Sequence, residues 1–237
     1  MKKIALVFVA IIGLAFQLSC NNTRKTPSDT TAVSIADSVQ AGSSREQVLE
    51  LPPLKENEEI VFESDNVRIV QGGTVETEGG VYNTLSIQPK NTSYKQFHIE
   101  GTILLFHEVV GKYLVISEGT DAVCMLLVYD LTTGEKSIEA ASFVYSMGIV
   151  KENDYQFSFY CYNDNAPLII WNGKKSTWET QNKVPKELLN ADLEQLKKKT
   201  QEYLFDGLAL MVYQRVQVDI EKRKLTPLNE YKWGYAE

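Results

Sequence analysis

The chain has 237 residues, 43% of them hydrophobic and 23% charged, with a formal net charge of -7. That composition supplies a packed core and excludes a disordered polyelectrolyte, and the length accommodates one domain with appendages. The acid excess excludes nucleic acid as a partner, because phosphate neutralisation needs clustered Lys and Arg, and it excludes charge alone as the force holding the body on an anionic membrane.

Met1-Lys2-Lys3 is a short positive segment, and Ile4 to Leu18 is apolar apart from Gly13 and Gln17. Crossing a hydrocarbon layer of ~30 Å takes roughly 20 apolar residues, so this run has the length of a signal-peptide core rather than of a span. Ser19-Cys20 follows directly and resembles a lipobox, the bacterial lipoprotein signal in which a small residue precedes the lipidated Cys. Gln17 stands where that pattern has Leu, with Leu18 one place later. The resemblance implies that residues 1–19 are a signal peptide and that Cys20 becomes the lipid-bearing N-terminus. Acyl chains contribute ~0.8 kcal/mol per buried CH₂, so two or three of them hold a folded domain at a membrane. Asn21 is not the Asp that resembles an inner-membrane retention signal, which implies the outer membrane. The alternative is a plain secretory peptide or an uncleaved anchor in which Cys20 is incidental. Residues 1–19 carry two of the 24 bases and none of the 31 acids, so the remainder stands at −9.

From Asn21 to Glu58 the chain is rich in Thr, Ser, Asn, Ala and charge, contains Pro27, Pro52 and Pro53, and lacks aromatics. Such a stretch buries too little apolar area to offset its chain entropy, so residues 20–58 are expected to be a lipidated Cys and a flexible tether, with ~35 Å of average reach as a coil. Asp29-Thr30-Thr31 and Asp37-Ser38-Val39 are similar to the O-glycosylation acceptor of Bacteroidetes-type envelope proteins, which makes Thr30 and Ser38 candidate glycan sites; chance matches in a Ser/Thr-rich stretch are the alternative. The resemblance ends near residue 40 and carries no information about the body.

Residues 59–237 read as a β-rich globular domain. Short β-prone runs bounded by Gly, Asn and Asp recur, among them Val67 to Val70, Val81 to Ile87, Tyr113 to Ser117, Met125 to Tyr129 and Tyr155 to Tyr162; these are strand signals. Asn172-Gly173 is the strongest short hairpin signal, and Leu208 to Ile220 with Leu225 to Tyr235 reads as a long terminal hairpin. Tyr113 and Tyr155, and likewise Tyr129 and Trp171, lie 42 residues apart, a spacing similar to that of propeller blades. The expected fold class is mainly β, antiparallel, with propeller-like hairpin repeats in which Tyr129 and Trp171 are equivalent core aromatics; a β-sandwich or barrel is the alternative. One amphipathic helix is expected over 186–204, with Pro185 before it and a stripe of Leu189, Leu193, Leu196, Thr200 and Tyr203. Lys197-Lys198-Lys199 suits either a solvated helix end or a binding patch.

No serine-nucleophile elbow, phosphate loop or zinc-protease motif occurs, so no catalytic residue, metal ligand or cofactor is assigned. His98, Glu100 and His107 are metal-competent residue types, but they read as polar residues on the wet face of strands, and Gly72-Gly73 reads as turn punctuation. Cys124 and Cys161 are either a disulfide, favoured by an oxidising envelope, or buried small apolar residues. Trp178, beside the Asn172-Gly173 turn, is the candidate ligand-facing aromatic for sugar stacking; cross-strand packing is the alternative. The expectation for function is a lipid-anchored cell-envelope protein with a non-enzymatic binding or scaffolding domain and an envelope protein or glycan as partner. A glycan-binding or glycan-processing hydrolase is the second hypothesis.

Overall fold

The structure, a computed structural model, describes residues 49–163 and 165–236. Residues 1–19, Cys20, Thr30 and Ser38 lie outside the described residues. Within them the chain is mainly β and every strand pairing is antiparallel.

The first sheet contains β1 (Glu58–Glu63), β2 (Val67–Gly72), β3 (Val75–Thr77), β4 (Gly80–Pro89) and β5 (Phe97–Gly101). β2 and β3 follow one another along one edge of β4, β1 adds outside β2, and β5 takes the other edge. Alternation sets the two faces. Ile69, Leu85, Ile87 and Ile99 point into an apolar core, while Arg68, Thr84, Ser86, His98 and Glu100 take the opposite, outer face by register.

The second sheet holds β6 (Leu104–Val110), β7 (Tyr113–Glu118), β8 (Val123–Asp130), β9 (Lys136–Val144), β10 (Ile149–Asn153), β11 (Gln156–Cys161), β12 (Leu168–Asn172), β13 (Thr177–Thr180), β14 (Ala209–Asp219) and β15 (Lys224–Tyr235). Its order is β13-β12-β14-β11-β9-β8-β7-β6, with β10 on β11 and β15 on β14. β7 and β8 are apolar without alternation because both their faces are covered. Leu114, Ile116 and Leu127 meet the first sheet; Val115, Leu126 and Val128 meet Phe143, Phe157, Phe159, Val216 and Val218 in a second core. The sheet curls around that second core until β10 comes back against β6. Gly111, in the β6–β7 turn with φ +61, makes this approach: a Cβ there would run into the Asp154 carbonyl oxygen of the β10–β11 turn.

The architecture corrects the repeat expected from the 42-residue spacing. β7 and β8 are paired neighbours, whereas β14 lies between β11 and β12, so the two units are not equivalent. Tyr129 packs half-buried against the first core, and Trp171 meets Trp178 instead. Hairpins share local letters; which strand becomes the neighbour is set by long-range pairing with β14, which local letters do not encode. The terminal hairpin forms where expected, as β14 and β15.

The helix is shorter than 186–204. Pro185 opens a 3₁₀ turn at Lys186–Leu188, Leu189 leaves helical geometry at φ −82, ψ 66, and Asn190 starts the helix α1 (Ala191–Thr200) afresh, its side chain accepting from the Leu193 N–H. Gln201–Tyr203 is again 3₁₀. The middle of the stripe is as expected, with Leu193 and Thr200 buried, but Leu189 and Tyr203 are exposed.

Candidate functional site

A wide concavity lies on the outer side of the first sheet. β2 ends at Gly72, opposite Glu58 of β1, and the chain resumes as the short β3. The break leaves a cleft of about 900 Å³ lined by Lys55, Asn57, Glu58, Gly73, Tyr82 and Glu100, among others. Gly72 and Gly73 are the closest approach in it: a side chain at Gly72 would strike the Thr84 hydroxyl, and one at Gly73 would stand 3.0 Å from the Asn57 Cβ. Lys55, Glu58 and Thr84 also line a second groove of about 700 Å³, with Pro52, Pro53, Ser86, Gln96 and His98.

Residues 49–57, which the sequence assigns to the tether, are instead a strap across this face. The Leu49 N–H donates to the Lys90 carbonyl at 2.9 Å, and the Arg68 guanidinium donates to the Pro52 carbonyl. Val70 is 0% exposed although its register places it beside Ser86 on the outer face, so that face is covered at this point. The body therefore begins about ten residues before residue 59. Two prolines hold their backbone extended without a helix or ladder partner, so a segment that looks structureless by composition is ordered by docking.

Charge in the cleft is organised by the strap. The Lys55 N–H donates to Glu58 Oε2 at 2.9 Å and the Lys55 ammonium stands 3.3 Å from Oε1. The backbone hydrogen bond, with the ammonium behind it, holds the Glu58 carboxyl below the ordinary carboxylate range. Below the cleft, Asn83 ties the two sheets together: its amide donates to the Leu104 carbonyl at 2.9 Å and accepts from the Leu104 N–H at 2.6 Å.

The residues singled out in the sequence disperse. His98 and Glu100 are exposed on the outer face, as their alternation on β5 implies. His107 is not on a wet face. The β6–β7 register shifts between Phe106 and Glu108, and this bulge turns the ring inward. Its Nε2 stands 2.8 Å from the Ser117 Oγ and its edge meets Phe143 at 5.0 Å; burial pushes its pKa down to about 4. Among the described residues no three His, Cys, Asp or Glu side chains stand together as a metal site.

Cys124 and Cys161 are free thiols, not a disulfide. Each is the partner of Phe143, from opposite sides, so two strand spacings of ~4.8 Å part them, beyond the ~4.4–6.8 Å Cα separation a disulfide spans. Burial pushes both thiols up. Trp178 is half-buried against Ile169, Leu193 and Trp233, its ring 5.5 Å from that of Trp171. Trp171 itself borders a smaller groove with Glu179 and Asp206.

The sequence reading missed the cleft. Its signals were the doubled glycine and the polar alternation through Thr84, Ser86 and Gln88, and both also fit an ordinary turn beside an ordinary solvated face. Comparison with known proteins returns no match to a family model, a curated protein or a solved structure.

Proposed function

We propose that the chain is a lipid-anchored cell-envelope protein, held at the outer membrane through Cys20, whose β-rich body binds or scaffolds another envelope component without catalysing a reaction. The observation that carries the binding reading is the glycine-floored cleft at the break between β2 and β3. Its lining of amides, hydroxyls, one tyrosine, one lysine and three glutamates is suited to holding a polar partner by hydrogen bonds and ring contact. The strap that shapes it is also the segment through which the chain leads back to Cys20, so anchor and cleft lie on one path.

The second reading, a glycan-processing hydrolase, draws on Glu58 and Glu100 lining the same cleft. Glycosidase chemistry asks for one carboxyl raised to serve as general acid, whereas Glu58 is held down by Lys55. The single strongly shifted imidazole, that of His107, faces the core rather than the cleft. Both observations favour binding.

Filling the cleft tests the proposal. Thr84→Trp places an indole over Gly72 while leaving the inner face of β4 untouched. The wild-type chain is expected to retain a specific component from envelope extract that the variant, with an unchanged melting curve, does not. Identical retention by both would remove the cleft from the function, and turnover of envelope glycan by the wild type would favour the hydrolase.

A further inference from the structure

The cleft and the second groove meet end to end. Lys55, Glu58 and Thr84 line both, so one trough continues past these residues along the outer face of the first sheet. β4 gives its direction. Alternation puts Tyr82, Thr84, Ser86 and Gln88 on that face; Tyr82 and Thr84 line the cleft, and Thr84, Ser86 and Gln88 line the groove. Across on β5, Glu100 is the partner of Thr84 and His98 the partner of Ser86, Glu100 lining the cleft and His98 the groove. From Tyr82 to Gln88 the strand runs ~20 Å at ~3.3 Å per residue, the length of about four sugar rings in an extended chain.

Gln88 is committed to the Arg68 guanidinium at 2.7 Å. Thr84 and Ser86 are half-buried, yet among the described residues their hydroxyls, the His98 ring and the Glu100 carboxylate hold no hydrogen-bond or ion-pair partner. Two facing rows of polar groups are thus open to a ligand. Tyr82 adds a ring at the cleft end, and Pro52 and Pro53 bound the groove end; hydroxyl partners beside a ring face suit a sugar. Charge narrows the class. Glu56, Glu58 and Glu100 line the trough against the ammonium of Lys55, so an acidic ligand is repelled. β4 is paired to β2 over Leu85–Pro89 and to β5 over Asn83–Ile87. The trough therefore runs over a paired sheet face, and a peptide laid in it would find no ladder of backbone partners.

Resting on the reading of the cleft as a binding site, we infer that the trough takes a linear, neutral glycan that fills its length along β4. Its sugar hydroxyls meet Thr84, Ser86, His98 and Glu100. A linkage that keeps the chain straight, as in cellulose or chitin, is the kind that follows a single strand.

The probes are cellotetraose and chitotetraose, titrated calorimetrically into the full chain, with cellobiose and chitobiose as their short counterparts and tetragalacturonate as an acidic chain of the same length. Saturable binding of at least one neutral tetrasaccharide is expected, with its disaccharide weaker by about tenfold or more, the loss implied by one or two hydrogen bonds. Tetragalacturonate is expected to bind more weakly than the neutral chain. Thr84→Trp, at the junction, and Ser86→Ala/His98→Ala, in the groove alone, are each expected to weaken the tetrasaccharide by about tenfold or more with the melting curve in place. A disaccharide or tetragalacturonate binding as tightly as the neutral tetrasaccharide, or binding undiminished in either variant, would overturn the inference. So would failure of both tetrasaccharides to bind. In that case, loss of the envelope component by Thr84→Trp would keep the cleft as a binding site and assign it to a peptide or protein surface, whereas identical retention would remove the cleft as well.

Discussion

His107 and Asn83 each place a polar side chain in the interior, and each makes a measurable claim. Desolvation holds the folded-state pKa of His107 at about 4, against ~6.5 for an unfolded histidine. Between those values the unfolded chain binds a proton that the folded chain refuses, so stability falls as pH falls through that window. The fall amounts to at most about 3 kcal/mol, at 1.36 kcal/mol per pH unit, and this contribution is flat above ~6.5. Urea unfolding of wild type and His107→Gln between pH 7 and 4.5 checks it: the wild-type curve should drop more steeply, and parallel curves would mean that the ring is solvated. Asn83 is 3% exposed and holds both backbone groups of Leu104. Asn83→Ala leaves a buried N–H and a buried C=O unpaired, each costing ~1–3 kcal/mol. A loss of ~2–4 kcal/mol in denaturant unfolding is therefore expected, while a value within experimental scatter would show that water replaces the amide.

At the scale of elements, the strap is the clearest departure from composition. Residues 49–57 carry no aromatic and two prolines, yet they bond to Lys90 and Arg68. A chain beginning at residue 49 is expected to unfold cooperatively and to exceed one beginning at residue 59 by ~2 kcal/mol, from two hydrogen bonds of ~1 kcal/mol each; equal stabilities would return the strap to the tether. The strands themselves were legible. β7 and β8 stand out as apolar runs because both faces are buried, and the terminal hairpin because its turn residues punctuate it. The order of strands was not legible, since β14 enters between β11 and β12 through pairings remote in sequence. The inward turn of His107 was hidden for a related reason: one extra residue in a bulge reverses the alternation on which a face assignment depends. Leu189 looked like helix and is not, because Asn190 offers a better cap than a continued helix offers a partner.

At the scale of the whole molecule, the two sheets bury apolar side chains in four clusters among the described residues, and the candidate cleft opens where the regularity of the first sheet fails, at the break of β2 into β3. In the proposed account it carries out no reaction; it presents groups to a partner, and a lipid at Cys20 would fix the body where such partners are met. That attachment is the central claim, and metabolic labelling with a clickable fatty acid tests it most directly. The full chain and Cys20→Ser are expressed in a Gram-negative host, and label is read on the purified protein. Label on the wild type, absent from Cys20→Ser, is the predicted result; equal label on both, or none on either, would contradict it.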